Sequence, residues 1–178
     1  MAATEHVLLV DENDQPLGPM EKLAAHQKGL CHRAFSVFIF STHDTPALLL
    51  QQRAEHKYHS GGLWTNTCCS HPRPDEDIIL AGERRLFEEM GIRASLTTAG
   101  TFHYIAHFDN GLIENELDHV LVGRIDECVP PFNPLEVQSY RWVEISSLQN
   151  ELREHPERFT AWLAQALEVA RKSRALSH

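Results

Sequence analysis

Cysteine is scarce in this chain, four in 178 residues. That count is too low for a disulfide scaffold, and the paired C-x-x-C spacing of a structural zinc site is missing, so Cys31, Cys68, Cys69 and Cys128 read as free thiols or as metal ligands. Positive charge is also short: 16 Lys and Arg stand against 25 Asp and Glu, a net charge of −9. This excludes a general nucleic-acid binder but leaves room for a local basic cluster around an anion. No apolar run approaches the roughly 20 residues of a membrane span, and the opening MAATEHVLLVDEND is too soon interrupted by acids for a signal peptide. A soluble cytoplasmic protein is expected, without nucleic-acid or membrane partners. With no repeat, no low-complexity segment and 42% hydrophobic residues, one domain over residues 1–178 has enough apolar material for a core.

Histidine, by contrast, is abundant at twelve residues, and several lie beside the cysteines. The chain is organised around Trp64–Ile92, WTNTCCSHPRPDEDIILAGERRLFEEMGI. Leu63 to Ser70 reads as an extended run, in which Cys69 and His71 share one face and Cys68 takes the other. After Pro72 and Pro74 a helix is predicted, with Asp75 as N-cap or first-turn acid, Ile78, Ile79, Leu86, Phe87 and Met90 as its apolar positions and Gly91 just past its end. Before it, His6–Val10 is predicted as an edge strand with a turn over 11–18, residues 20–32 as a loop or broken helical turn, and Ala34–Phe40 with Ala47–Gln52 as a hairpin. After it, Leu96–Phe108 and Leu112–Ile125 form a second hairpin through Asp109-Asn110-Gly111. A three-residue turn there puts Tyr104 opposite Glu116, with Glu114 on the same face as Glu116; a two-residue turn would shift the pairing by one. A proline-marked loop, a strand over Ser139–Ile145, a helix to Glu154 and an amphipathic helix over Pro156–Arg174 complete the pattern. It is α+β, a mixed sheet flanked by helices.

Three groups of residues carry possible chemistry. His26, His32, His71, Glu114 and Glu116 would suit Mn²⁺, Mg²⁺ or Zn²⁺ in an octahedral mixed nitrogen–oxygen site, although spacing alone does not assemble them and lone histidines are more often ordinary surface or core residues. Cys69 is the favoured reactive thiol because it shares a strand face with His71; the alternatives are two small buried hydrophobes, or a zinc site from Cys31, His32, Cys69 and His71. The helix after Pro74 carries more charge than solubility needs, and Arg53, His56 and Lys57 form the best local anion site.

From Ser70 to Ile92 the positions of Glu76, Arg84, Leu86, Glu88, Glu89, Gly91 and Ile92 match the spacing of the Nudix box, whose carboxylates hold divalent metal against a diphosphate. Ser70 stands where the box begins with glycine, and Arg85 where hydrolytic members carry a glutamate. Over nearly its whole length the chain resembles one Nudix branch, the type I isopentenyl diphosphate isomerases. The matching residues are Glu21-Lys22 with Ala24-Ala25-His26, His32, W-T-N-x-x-C-x-H at Trp64–His71, R-R-L-x-E-E-x-G at Arg84–Gly91, E-N-E at Glu114–Glu116, and Trp162.

That resemblance implies a Nudix-like sheet with antiparallel hairpins and an enzyme of isoprenoid biosynthesis interconverting isopentenyl and dimethylallyl diphosphate. Cys69 and Glu116 would transfer protons on opposite faces of the substrate, with Tyr104 hydrogen-bonded within the pair and Trp162 facing the developing carbocation. His26, His32, His71, Glu114 and Glu116 would hold one Mn²⁺, Zn²⁺ or Mg²⁺. Glu89 would support a Mg²⁺ associated with the diphosphate, which Lys22, Arg53, Lys57 and Arg85 would cradle. A monomer is expected, with a dimer left open. The sequence departs from the branch at His59-Ser60-Gly61, where Trp-Pro-Gly is common, and at Ser70. A Nudix diphosphate hydrolase is the first alternative and a catalytically silent ligand sensor the second.

Overall fold

The computed structural model describes residues 5–57 and 59–173. In chain order its elements are β1 (His6–Val10), β2 (Pro16–Glu21), α1 (Lys22–Lys28), β3 (His32–Ser41), β4 (Ala47–Arg53), β5 (Trp64–Thr65), β6 (Cys68–Ser70), α2 (Ile78–Met90), β7 (Thr97–His107), β8 (Ile113–Ile125), β9 (Val137–Glu144), α3 (Ile145–Glu154), a 3-10 turn (Pro156–Arg158) and α4 (Leu163–Arg171). The strands form one nine-stranded mixed sheet, so the α+β expectation holds. No helix among the described residues is long and apolar enough to cross a membrane.

β3 is the axis of that sheet. Its run AFSVFIF is apolar almost without alternation because both faces are covered. Phe38 and Phe40 point to a core closed by Leu163, Leu167 and Phe159, whereas Phe35, Val37 and Ile39 point to one closed by Leu86 and Met90 of α2. β3 runs parallel to β8, with His32 opposite Glu116, and antiparallel to β6, with Ser36 opposite Cys69. β7 and β8 pair with Tyr104 opposite Glu116, the register of the three-residue turn.

Four local expectations are corrected. β1 is not an edge strand: the chain turns over 11–15, where Asp11 Oδ1 accepts from the amides of Asn13 and Gln15, and returns as β2. Pro16 and Pro19 are tolerated in β2 because it is the edge. Residues 22–28 are helical rather than a loop, and α1 turns Ala25 and His26 inward. The N-cap of α2 is Asp77, not Asp75, its carboxylate accepting from the amides of Ile79 and Leu80; Gly91 ends the helix as expected, at φ 69°. The final helix begins at Leu163 rather than Pro156, because Phe159 bridges to Trp64 and Thr160 N–H donates to the Trp64 carbonyl, which holds that stretch extended. Its expected end at Arg174 lies outside the described residues.

The two faces of α2 give a direct test of this packing. Leu86 is fully buried and Leu80 is 61% exposed. Leu86→Ala is expected to lower the unfolding free energy by about 2–5 kcal/mol in denaturant melts, and Leu80→Ala by less than about 0.5 kcal/mol.

Candidate active site

His26 on α1, His32 at the start of β3, His71 just beyond β6 and Glu114 on β8 offer ligand atoms that all lie within 4.8 Å of one another. The tautomers follow from what surrounds the rings. His26 Nδ1 lies 2.7 Å from the Lys22 carbonyl and His32 Nδ1 3.0 Å from the Leu30 carbonyl. A carbonyl only accepts, so both Nδ1 atoms carry hydrogen and both rings aim Nε2 inward. There His26 Nε2 meets Glu114 Oε1 at 2.7 Å, and His32 Nε2 meets the same oxygen at 3.3 Å and His71 Nε2 at 3.2 Å. Acceptors facing acceptors at these distances need a proton or a cation between them. The donor set therefore fits a divalent ion, and the carbonyl-anchored Nδ1 is the support that metal-bound histidines commonly show.

Burial alone would raise the Glu114 pKa, but its four histidine neighbours, His26, His32, His59 and His71, hold it well below the usual carboxylate range. Burial would lower the His71 pKa, yet Glu114 and Glu116 raise it to about 9. Glu116 adjoins the set rather than closing it, its Oε2 lying 3.3 Å from His71 Nε2 and 4.0 Å from His32 Nε2. Its other oxygen accepts a short hydrogen bond from the Tyr104 hydroxyl.

Beside this cluster, Cys69 Sγ donates to Asn66 Oδ1 at 3.1 Å and lies 3.7 Å from Ser36 Oγ. The indole N–H of Trp162 reaches Sγ at 3.1 Å. Burial pushes the Cys69 pKa up to about 12, with Asp118 adding to it and the hydrogen bonds to Ser36 and Asn66 opposing it. Cys68 faces the other side of the sheet, as strand alternation requires, and donates to Glu89 Oε2 at 3.1 Å. Cys31 and His32 are not joined with Cys69 in a zinc set among the described residues.

A cavity of about 510 Å³ runs from Cys69, Glu116 and Trp162 to Lys22, Arg53, Lys57 and Arg85. Each of these cations has an acceptor within the chain: Lys22 pairs with Glu5, Lys57 with Glu136, and Arg85 with Glu88, Glu89 and Glu136. Arg53 donates to the His59 carbonyl and lies over the Trp162 ring at 5.6 Å. Glu89 is not part of the histidine cluster; it is buried between Cys68, Gln51 and Arg85.

Residues 31–163 match the NUDIX domain family. The chain is 56% identical over 162 residues to the isopentenyl-diphosphate Delta-isomerase of Pectobacterium atrosepticum, covering 91% of this chain and 88% of that protein. The chain belongs to the isopentenyl-diphosphate Delta-isomerases of the Nudix family. The isopentenyl-diphosphate Delta-isomerase 2 of Aromatoleum aromaticum is 47% identical over 173 residues, covering 97% of this chain and 90% of that one. At the level of fold alone, a crystal structure from Deinococcus radiodurans aligns with TM-score 0.74 at 19% identity, covering 94% of this chain and 98% of its own.

Within this candidate site, four side chains were assigned no role from the sequence. Ser36, Asn66 and Asp118 surround the thiol, and His59 reaches Glu114. Asp118 was accessible in principle, since alternation along β8 places residues 114, 116 and 118 on one face; nothing local marks His59. Ser36 Oγ donates to Asp118 Oδ2 at 2.9 Å, while Asp118 Oδ1 is buried without a hydrogen-bond partner among the described residues. Burial, reinforced by Glu116, raises the Asp118 pKa well above 3.8. A group whose folded pKa is raised contributes stability below its unfolded pKa and loses it as pH rises through the folded value. Asp118→Asn is therefore expected to raise the thermal midpoint of the metal-free isomerase at pH 7.5 by roughly 2–4 °C, the shift produced by about 1 kcal/mol in a domain of this size. That gain should shrink as the pH is lowered toward 4, which scanning calorimetry at several pH values would follow.

Proposed function

We propose that the chain interconverts isopentenyl and dimethylallyl diphosphate by moving the double bond through one protonation and one deprotonation, with Cys69 and Glu116 as the two proton carriers on opposite faces of the substrate. The observation that carries this reading is the pair itself: a thiol from β6 and a carboxylate from β8 line the same cavity, whose far end is cationic. In the free site Cys69 holds its proton and Glu116 accepts from Tyr104, so the pair stands as donor and acceptor. Protonating an unactivated alkene creates a tertiary carbocation that water would trap. The indole of Trp162, fixed against Cys69 by its own N–H, and the Tyr104 ring 6.1 Å from it give that charge an aromatic wall.

Lys22, Arg53, Lys57 and Arg85 would receive the diphosphate, with Lys22, Lys57 and Arg85 exchanging their present carboxylate partners for phosphate oxygens. Glu89 would help to hold a Mg²⁺ that travels with the diphosphate. A divalent cation held by His26, His32, His71 and Glu114, whether Mn²⁺, Zn²⁺ or Mg²⁺, supplies fixed positive charge beside Glu116. Arg85, in the place of the hydrolase glutamate, removes a carboxylate that hydrolysis would need and adds a phosphate contact.

Isopentenyl diphosphate incubated with the enzyme in deuterated water is expected to yield dimethylallyl diphosphate carrying deuterium, followed by NMR. Phosphate release without movement of the double bond would replace this reading with a hydrolase. Cys69→Ser and Glu116→Gln are each expected to lower kcat by roughly 10²–10⁴-fold with the fold retained, and Cys68→Ser by far less. A fully active Cys69→Ser enzyme would remove the thiol from the mechanism.

A further inference from the structure

The loop between β4 and β5 carries His59, a residue outside the proton carriers and outside the cluster of His26, His32, His71 and Glu114. It is buried, 7% exposed, and its Nε2 lies 2.6 Å from Glu114 Oε2. The ring is stacked on Phe108, centroids 4.5 Å apart and planes 7° from parallel, and meets Trp162 edge-on at 5.9 Å. Its Nδ1 lies 3.0 Å from Ser60 Oγ, which can donate to it, leaving hydrogen on Nε2 for the carboxylate.

The loop backbone is held as well. Ser60 has φ 55°, and a Cβ at Gly61 would stand 2.3 Å from the Glu55 carbonyl oxygen, so only glycine fits there. The consequence is a divided carboxylate. Glu114 Oε1 faces His26 and His32, and Oε2 faces His59. The His59 carbonyl also accepts from Arg53, one of the cations at the diphosphate end of the cavity.

We infer that His59 is a positioning residue of the metal centre: its Nε2–H holds Glu114 Oε2, which turns Oε1 toward the convergence of His26, His32 and His71. This rests on the reading that those residues hold a divalent cation. The His59 carbonyl accepts from Arg53 while its ring reaches Glu114, so one residue links the metal-binding cluster to the diphosphate end of the cavity. A side chain that anchors a ligand in this way typically accounts for a 10–100-fold difference in metal affinity.

The test is the affinity of the metal-free protein for Mn²⁺, measured by competition with a chelator, in the wild type, His59→Ala, His59→Phe and His59→Gln. Phenylalanine keeps the stack on Phe108 and lacks the donor, so it carries the comparison if the alanine variant does not fold. Glutamine retains an N–H. The Ala and Phe variants are expected to bind one Mn²⁺ with about 10–100-fold weaker affinity, and the Gln variant to recover most of the loss. Wild-type affinity in Ala or Phe would overturn the inference. Loss of the site in all three variants would also overturn it, by making His59 a ligand. A wild-type protein that binds no Mn²⁺ is a separate failure, that of the metal reading itself.

Discussion

A carboxylate withdrawn from water keeps its charge only if other groups replace the water, and Glu114 is in that position at 2% exposure. Four imidazoles surround it, from α1, the start of β3, the β4–β5 loop and the segment after β6. Segments distant in the chain are thereby tied to one side chain. With hydrogen on both Nδ1 atoms, Nε2 of His26 and of His32 faces Glu114 Oε1 directly, so a proton or a cation must stand between them. A divalent cation would fill that place.

From that point the remaining chemistry follows strand geometry. Along β8, Glu116 and Asp118 follow Glu114 on one face, and Val120 and Val122 continue that face into the apolar core. The polar site is thus one end of the same surface that binds α4. On β6 the alternation divides neighbouring thiols: Cys69 lies with Trp162 and Asn66, and Cys68 lies with Glu89, which in turn pairs with Arg85. The three-residue strand β6 therefore sets Cys69, Trp162 and Asn66 apart from Cys68, Glu89 and Arg85.

Much of this was legible in the sequence where it depends on local periodicity. The Tyr104–Glu116 pairing came from the Asp109-Asn110-Gly111 turn, the two faces of Cys68 and Cys69 from alternation, and the end of α2 from Gly91. The candidate metal ligands were recognisable through their resemblance to a family rather than through spacing, because His26 and Glu114 meet only after the sheet is assembled. What stayed hidden depends on tertiary contact. α1 is seven residues long, too short to show a periodic face, and is held by burial of Ala25 and His26. β2 contains two prolines that local propensity assigns to a turn. Phe159 and Thr160 are drawn out of the last helix by Trp64, a residue nearly a hundred positions earlier. His59 sits in a basic, glycine-ended loop whose local composition suggested an anion site and gave no sign of Glu114.

X-ray absorption at the metal edge, on protein carrying one equivalent of Mn²⁺ or Zn²⁺, reads the proposed centre most directly. Scattering from three imidazole rings, those of His26, His32 and His71, together with carboxylate oxygen is the expected result. A shell of oxygen alone, without imidazole scattering, would contradict the assignment of these residues to the metal.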